Sequence, residues 1–326
     1  MQKIVWMLIL VCALGLSACA TRAGAQMQVE PSPAPGGTLQ ARPLISPTAA
    51  LPPTQTSTAH APATTTSTPT ARPLATKTPT NTATATPLAC LSQGGRIETD
   101  SLRTLLLRLP MDYRVYVPPC YDQQTSHRYP VLYLIHGQSY NDDQWDRLGV
   151  DETIDRLVEA GQIAPFIVVM PRDRYGGQPS ENNFAQVVVN ELMPLIDSEY
   201  RTIPERSQRA VGGLSRGAGW AVHLAFVYWE QFGALGAHSP AIFYDDAQRM
   251  RVYLDTIPPE QYPRLYVDVG DKDRPEIMDV SLWFEKLLNE WDVPHEWHLF
   301  SGYHEEAYWQ VHVETYLRWY AQDWSE

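Results

Sequence analysis

Gly213-Leu214-Ser215-Arg216-Gly217 is the stretch that most restricts the fold of this chain. An apolar run, Arg209 to Leu214, precedes the serine and reads as a buried strand; a helix-forming run, Ala218 to Trp229, follows it. A serine pinched between strand and helix, with glycine two positions away on each side, has the pattern of a nucleophile elbow. The glycines are needed because strand and helix approach too closely there for side chains. The new helix turns its free N–H groups and its positive end toward charge developing beside the serine. The competing reading is a Gly-rich turn with no chemistry. The flanking strand and helix supply the context that the motif demands.

The two ends of the chain differ in kind. Residues 1–19 read as an export signal, with Lys3 as the positive start and Ile4 to Leu16 as an apolar core too short for a permanent membrane helix. Leu16-Ser17-Ala18-Cys19 resembles a bacterial lipobox, which implies cleavage before Cys19 and lipid on its thiol; an ordinary secretory signal is the alternative. Lipid would hold the protein on a membrane surface, as a cell-surface or periplasmic lipoprotein without a spanning helix. Residues 20–89 read as a disordered tether. Between Thr48 and Pro87, 33 of 40 residues are Thr, Pro, Ala or Ser, too little apolar surface to offset the entropy of ordering.

Residues 90–326 are rich in Trp and Tyr and suit one α/β domain. The whole chain carries −12; removing Lys3 and the net +3 of residues 19–89 (Arg22, Arg42, Arg72 and Lys77 against Glu30) leaves −16 on this part. Such a globule repels nucleic acid, so no nucleic-acid partner is expected. Of four cysteines, two lie in the signal. Cys90 and Cys120 remain, and in an exported protein such a pair suits a disulfide, with two free thiols as the alternative.

Strands are expected at Tyr113–Val117, Val131–His136, Phe166–Met170, Arg209–Leu214, Ala234–Ala237, Leu265–Val269 and Glu296–Phe300. Helices are expected at Asp151–Ala160, Asn183–Glu199, Ala218–Trp229, Ile277–Trp291 and Glu306–Ala321. This alternation, with runs apolar on both faces, implies a mostly parallel, doubly wound sheet with helices on both faces. Functional groups in such a sheet gather where strands end and helices begin. One strand exit carries His136-Gly137-Gln138, another Ser215, a third Gly270-Asp271-Lys272-Asp273; Gly302-Tyr303-His304 follows the last strand. A serine hydroxyl becomes a nucleophile when a histidine takes its proton and a carboxylate holds that histidine. Among histidines, His295 and His298 sit on the last strand and His312 inside the last helix, which favours His304. Among carboxylates, Asp268 lies in a strand and Asp271 beside the Gly270 turn, which favours Asp273. The backbone N–H groups of Arg216 and Gln138 are the candidate oxyanion-hole donors, with His136 in a structural role. Tyr140, Trp145, Arg172 and Trp309 are candidates to line the pocket, as are Tyr175 and the rest of the Arg172-Asp173-Arg174 loop.

These residues resemble the esterase D-like esterases of the α/β-hydrolase superfamily, which include feruloyl and acetyl-xylan esterases, S-formylglutathione hydrolases, enterochelin esterases and antigen 85 mycolyltransferases. The likeness rests on Arg114 to Pro119 with Tyr121 and Asp122, on Tyr129 to Gly137 followed by Trp145, on Gly213 to Gly217, and on Gly270 to Asp273 with Gly302 to His304. One departure is the loop Gln138-Ser139-Tyr140-Asn141, more polar than the family's Gly-rich version. The resemblance implies an α/β-hydrolase fold and a Ser215–His304–Asp273 triad with a Gln138 and Arg216 hole. It implies no cofactor, no metal, and an ester substrate, small or linked to polysaccharide through acetyl or feruloyl groups. Acyl transfer to a sugar alcohol is the second reading, differing only in what resolves the acyl-enzyme. A non-catalytic surface module on the same scaffold is the third.

Overall fold

Runs that are apolar on both faces require a sheet covered on both sides. In the computed structural model, which describes residues 89–324, they occupy its centre. One sheet contains β1 (Arg96–Leu102), β2 (Met111–Val117), β3 (Val131–Ile135), β4 (Ile167–Pro171), β5 (Arg209–Leu214), β6 (Ala234–His238), β7 (Arg264–Gly270) and β8 (Glu296–Phe300). Their order is β1-β2-β4-β3-β5-β6-β7-β8. β1 and β2 pair antiparallel with their neighbours; every other pairing is parallel. The chain therefore winds outward from β3 in both directions, and a crevice opens at the exits of β3 and β5.

Side-chain alternation sorts the core into two layers. Val131, Tyr133 and Ile135 of β3 face one cluster, while Leu132 and Leu134 face the other. The first layer is completed by α3 (Phe184–Val187), α4 (Met193–Glu199), α5 (Arg216–Val227), α6 (Tyr244–Thr256) and α7 (Pro275–Glu290). The second is completed by α1 (Gln144–Arg147), α2 (Val150–Glu159) and α8 (Glu306–Ala321). Each fully buried Val, Leu or Phe contributes about 1.5–3 kcal/mol, so both layers matter to the sheet's stability.

Every expected strand and helix is present to within two residues at each end. The expected helix at 183–199 runs through as α3 and α4, but a π-helical turn at Val188–Leu192 joins them. Pro194 explains it: its ring excludes the carbonyl four residues earlier, and the wider turn upstream relieves the clash. Cys90 and Cys120 are joined by a disulfide, which ties the start of the described chain to the turn after β2. The expected signal, Cys19 and the tether up to residue 88 lie outside the described residues.

Candidate active site

The site begins with backbone strain. Ser215 has φ 53° and ψ −120°, a conformation that non-glycine residues rarely adopt and that cores do not hold without reason. The surrounding bonds fix it: Ser215 N–H donates to His238 O at 2.9 Å, and Ser215 O accepts from Gly219 and Ala241 N–H at 3.1 Å each. A Cβ on Gly213 would strike the Gly217 carbonyl, and one on Gly217 would strike the carbonyls of Ile135 and His136. Those two glycines let β5, β3 and α5 converge. Ser215 occupies the N-cap of α5, where a serine ordinarily turns its hydroxyl onto the helix's own N–H groups. Here it makes no cap bond, and Oγ lies 2.8 Å from His304 Nε2 instead.

His304 follows β8 and Asp273 follows β7, so neighbouring strand exits bring them together. His304 Nδ1 lies 2.8 Å from Asp273 Oδ1, with both side chains almost wholly buried. The pair is close but not aligned: neither His304 Nδ1 nor Asp273 Oδ2 has a well-directed hydrogen bond. Asp273 is anchored from behind, since Oδ1 accepts the Arg274 N–H at 2.6 Å. A small rotation of either group completes the line, as resting sites commonly require. Trp309 stands edge-on to the imidazole, ring centres 5.0 Å apart, and keeps the ring from swinging away.

The rival groups have other tasks. Asp271 accepts the Gly302 N–H at 3.0 Å and ties the two loops together. Asp268 is fully buried against His238. His295 bonds the Val293 carbonyl, while His298 and His312 stack on Phe300.

A cleft of about 380 Å³ opens over Ser215 and His304, bounded by Gln138, Tyr140, Arg274, Glu305 and Trp309. Arg216 opens α5, so its backbone N–H has no acceptor within its own helix. The Gln138 amide belongs to the loop forming the opposite wall. Of the residues expected to line a pocket, Tyr140 and Trp309 do. Trp145 and Arg172 do not. Trp145 is buried beneath β3, where its indole donates to Ile135 O at 3.0 Å and packs against the second core layer. Arg172 turns back along the sheet to Asp112 of β2, 3.2 Å away, because that carboxylate is its nearest partner. Tyr175 also turns outward, its hydroxyl accepting the Leu109 N–H.

One residue matters here that the sequence did not single out, Gln144, and one, Asp173, that was expected at the pocket wall takes another place. Gln144, fully buried, accepts the Gly137 N–H at 2.8 Å and donates to Glu306 at 3.1 Å, which braces the loop after β3 against α8. Asp173 lies behind the cleft rather than in it, bonded to Arg216 and Trp220 of α5. No local pattern distinguishes an inward Asp173 from the outward arginines on either side.

With this geometry established, comparison with known proteins places the chain. The family model described as "Putative esterase" matches residues 107–320, and the chain belongs to that family. A Xylanibacter ruminicola protein named endo-1,4-beta-xylanase/feruloyl esterase is 31% identical over 192 residues, 56% of this chain and 25% of that one. The chain thus spans about a quarter of that relative's length. Among solved structures, a ferulic acid esterase superposes with TM-score 0.63 at 25% identity, over 71% of this chain and all of the other. An S-formylglutathione hydrolase from Staphylococcus aureus shares the fold, with TM-score 0.55 at 18% identity over 70% and 98% of the two chains. The fold is that of the α/β-hydrolase esterases.

Proposed function

We propose that this protein is an exported, membrane-tethered serine carboxylesterase. The observation that carries the reading is the chain of contacts from Ser215 Oγ to His304 Nε2, and from His304 Nδ1 to Asp273 Oδ1, each 2.8 Å, at the floor of one cleft. Ser215 attacks the ester carbonyl as His304 Nε2 takes the hydroxyl proton. Asp273 holds the Nδ1 proton and stabilises the imidazolium. The carbonyl oxygen becomes an oxyanion facing the Gln138 and Arg216 N–H groups, and the positive end of α5 adds to its stabilisation. Collapse expels the alcohol, which takes its proton from His304 and leaves the acyl group on Ser215. Water then attacks, giving its proton to His304, and the carboxylic acid departs.

Ser215→Ala tests this directly. Turnover of p-nitrophenyl acetate and labelling by a fluorophosphonate are both expected to vanish; retained turnover in the purified variant rejects the mechanism. Activity is expected to show an acidic limb, because a protonated His304 accepts nothing from serine.

The cleft and the relatives together support a substrate class. Its volume falls in the range of small-molecule sites, roughly 300–1,000 Å³, and Tyr140 and Trp309 give it aromatic walls while Arg274 and Glu305 wet its mouth. An acyl group seated against the aromatics, with a sugar alcohol at the polar rim, suits feruloyl or acetyl esters of polysaccharide. A panel of feruloyl, acetyl and longer alkyl esters checks this, and preference for long alkyl chains removes it. Anchoring rests on the lipobox-like Leu16–Cys19. Cys19→Ser is expected to move the protein from the membrane fraction to the soluble one; unchanged fractionation argues against lipid.

A further inference from the structure

The two donors of an oxyanion hole must keep their spacing, yet Gln138 and Arg216 follow different strands. In this molecule they share one support. Asp173 stands two residues beyond β4, its side chain 3% exposed. Oδ2 accepts from Arg216 Nε at 2.9 Å and from Trp220 Nε1 at 2.8 Å, which grips the first turns of α5. Oδ1 accepts from the Tyr175 N–H at 3.1 Å and from Asn182 Nδ2 at 3.3 Å, which hold the carboxylate plane.

The backbone of the same residue reaches the other donor. Asp173 N–H donates to His136 Nε2 at 3.0 Å, so the ring proton resides on Nδ1. That proton goes to Gly137 O, 2.8 Å away. Gly137 C=O and Gln138 N–H belong to one planar trans peptide, so pinning the oxygen turns the N–H the opposite way. Burial lowers the basicity of His136 and keeps the ring neutral near pH 7, which preserves this tautomer. β4, β3 and β5 are consecutive in the sheet, and Asp173 spans all three exits.

We propose that Asp173 is a positioning residue for the oxyanion hole, fixing Gln138 N–H through His136 and the 137–138 peptide, and Arg216 N–H through the Arg216 and Trp220 side chains. The inference rests on the esterase reading and deepens it. Asp173→Asn preserves shape but halves the acceptor capacity and leaves the Arg216 guanidinium without its counter-charge. Asn keeps the backbone N–H to His136, so the variant loosens the Arg216 side alone; losing a hole donor outright costs about 10²–10³ in kcat, and loosening this one is expected to cost about 10-fold. KM is expected to stay within about threefold, because the ground-state carbonyl leans little on the hole. Inhibition by a trifluoromethyl ketone, whose serine adduct places an oxyanion in the hole, is expected to weaken by the same factor as kcat/KM. The midpoint of the acidic limb is expected to hold, since His304 and Asp273 are untouched.

All rates are taken per fluorophosphonate-labelled site, so a variant that merely folds poorly loses sites and keeps kcat. Trp220→Phe removes a single donor to Oδ2 and is expected to lower kcat several-fold; it decides the matter if Asp173→Asn does not fold. Unchanged kcat per labelled site in the folded variants, or lowered kcat with undiminished ketone affinity, overturns the inference while leaving the esterase reading intact. Wild-type protein that neither labels nor hydrolyses esters overturns both.

Discussion

Of the histidine–carboxylate pairs among the described residues, two lie one strand exit apart and behave as opposites. His238 and Asp268 lie at the ends of β6 and β7, 2.6 Å apart and wholly buried. Every polar atom of that pair is occupied: His238 Nε2 meets the Tyr320 hydroxyl at 3.1 Å, and Asp268 Oδ2 accepts from Tyr308 at 2.7 Å and Tyr316 at 2.9 Å. Burial, reinforced by the Asp268 charge, raises the pKa of the Tyr308 and Tyr316 phenols well above the usual range, so they remain donors. His304 and Asp273 have the same chemistry and the opposite bookkeeping. His304 Nε2 has only a serine hydroxyl, in an open cleft, and Asp273 Oδ2 has no partner. A saturated pair can only hold structure, whereas an unsaturated one has capacity left for a proton in transit.

The comparison breaks most sharply at His304. His304→Gln is expected to lower kcat/KM for p-nitrophenyl acetate by about 10⁴-fold, the scale of losing a triad member, with the melting temperature almost unchanged. Asp268→Asn is expected to do the reverse. Breaking a buried pair by removing one charge costs about 3–5 kcal/mol, which lowers the melting temperature by roughly 6–20 °C at this size, while turnover of the folded fraction stays within about threefold. Calorimetry beside steady-state kinetics reads both. Equal losses of stability in the two variants would erase the distinction between the pairs.

How much of this was legible in the sequence depended on where each signal lives. The elbow was legible because two glycines, an apolar strand and a helix are a local pattern with one steric solution. The buried strands were legible because burial on both faces writes a continuous apolar run. β1 escaped notice because it is an edge strand, pairing only with β2 and largely exposed, so Arg96 to Leu102 reads as polar loop. α6 escaped because Asp246, Met250 and Leu254 are its only buried residues, a stripe one residue wide per turn. Trp145 and Arg172 lie close to the site in sequence yet point away from it. Their orientation is decided by partners distant in sequence, Ile135 O and Asp112, and no spacing encodes that. Gln144 is invisible as a site residue for the same reason, and Asp173, expected to line the pocket, turns instead onto Arg216 and Trp220 behind it.

The smallest expected effect concerns titration, and it separates neutral histidines from a misplaced carboxylate. Burial lowers the pKa of His136 and His312 below the ordinary 6.5. The groups acting on His136 are Asp173, Asp142 and Arg172; those acting on His312 are Asp268, His238 and His298. Below pH 6.5 the unfolded chain binds protons that the folded chain refuses, so this part of the stability is complete above pH 6.5 and falls as pH falls. Asp151, in the first turn of α2, works against it. Burial, with Glu152 and Asp146 close by, pushes its carboxyl up to about 7 from an ordinary 3.8. Between those values the folded chain keeps a proton that the unfolded chain releases, so stability falls as pH rises through that window. The two slopes oppose each other below pH 6.5, so the wild-type profile there is expected to climb less steeply than the histidines alone would make it. Asp151→Asn removes one of them. Urea unfolding of that variant is expected to show stability climbing with pH up to 6.5, and a gain over wild type at pH 8 that shrinks as pH falls and vanishes only below about 3.8. A variant whose profile shows no climb would mean that His136 and His312 titrate alike in both states, and that the buried ring holding the 137–138 peptide is not kept neutral by its surroundings.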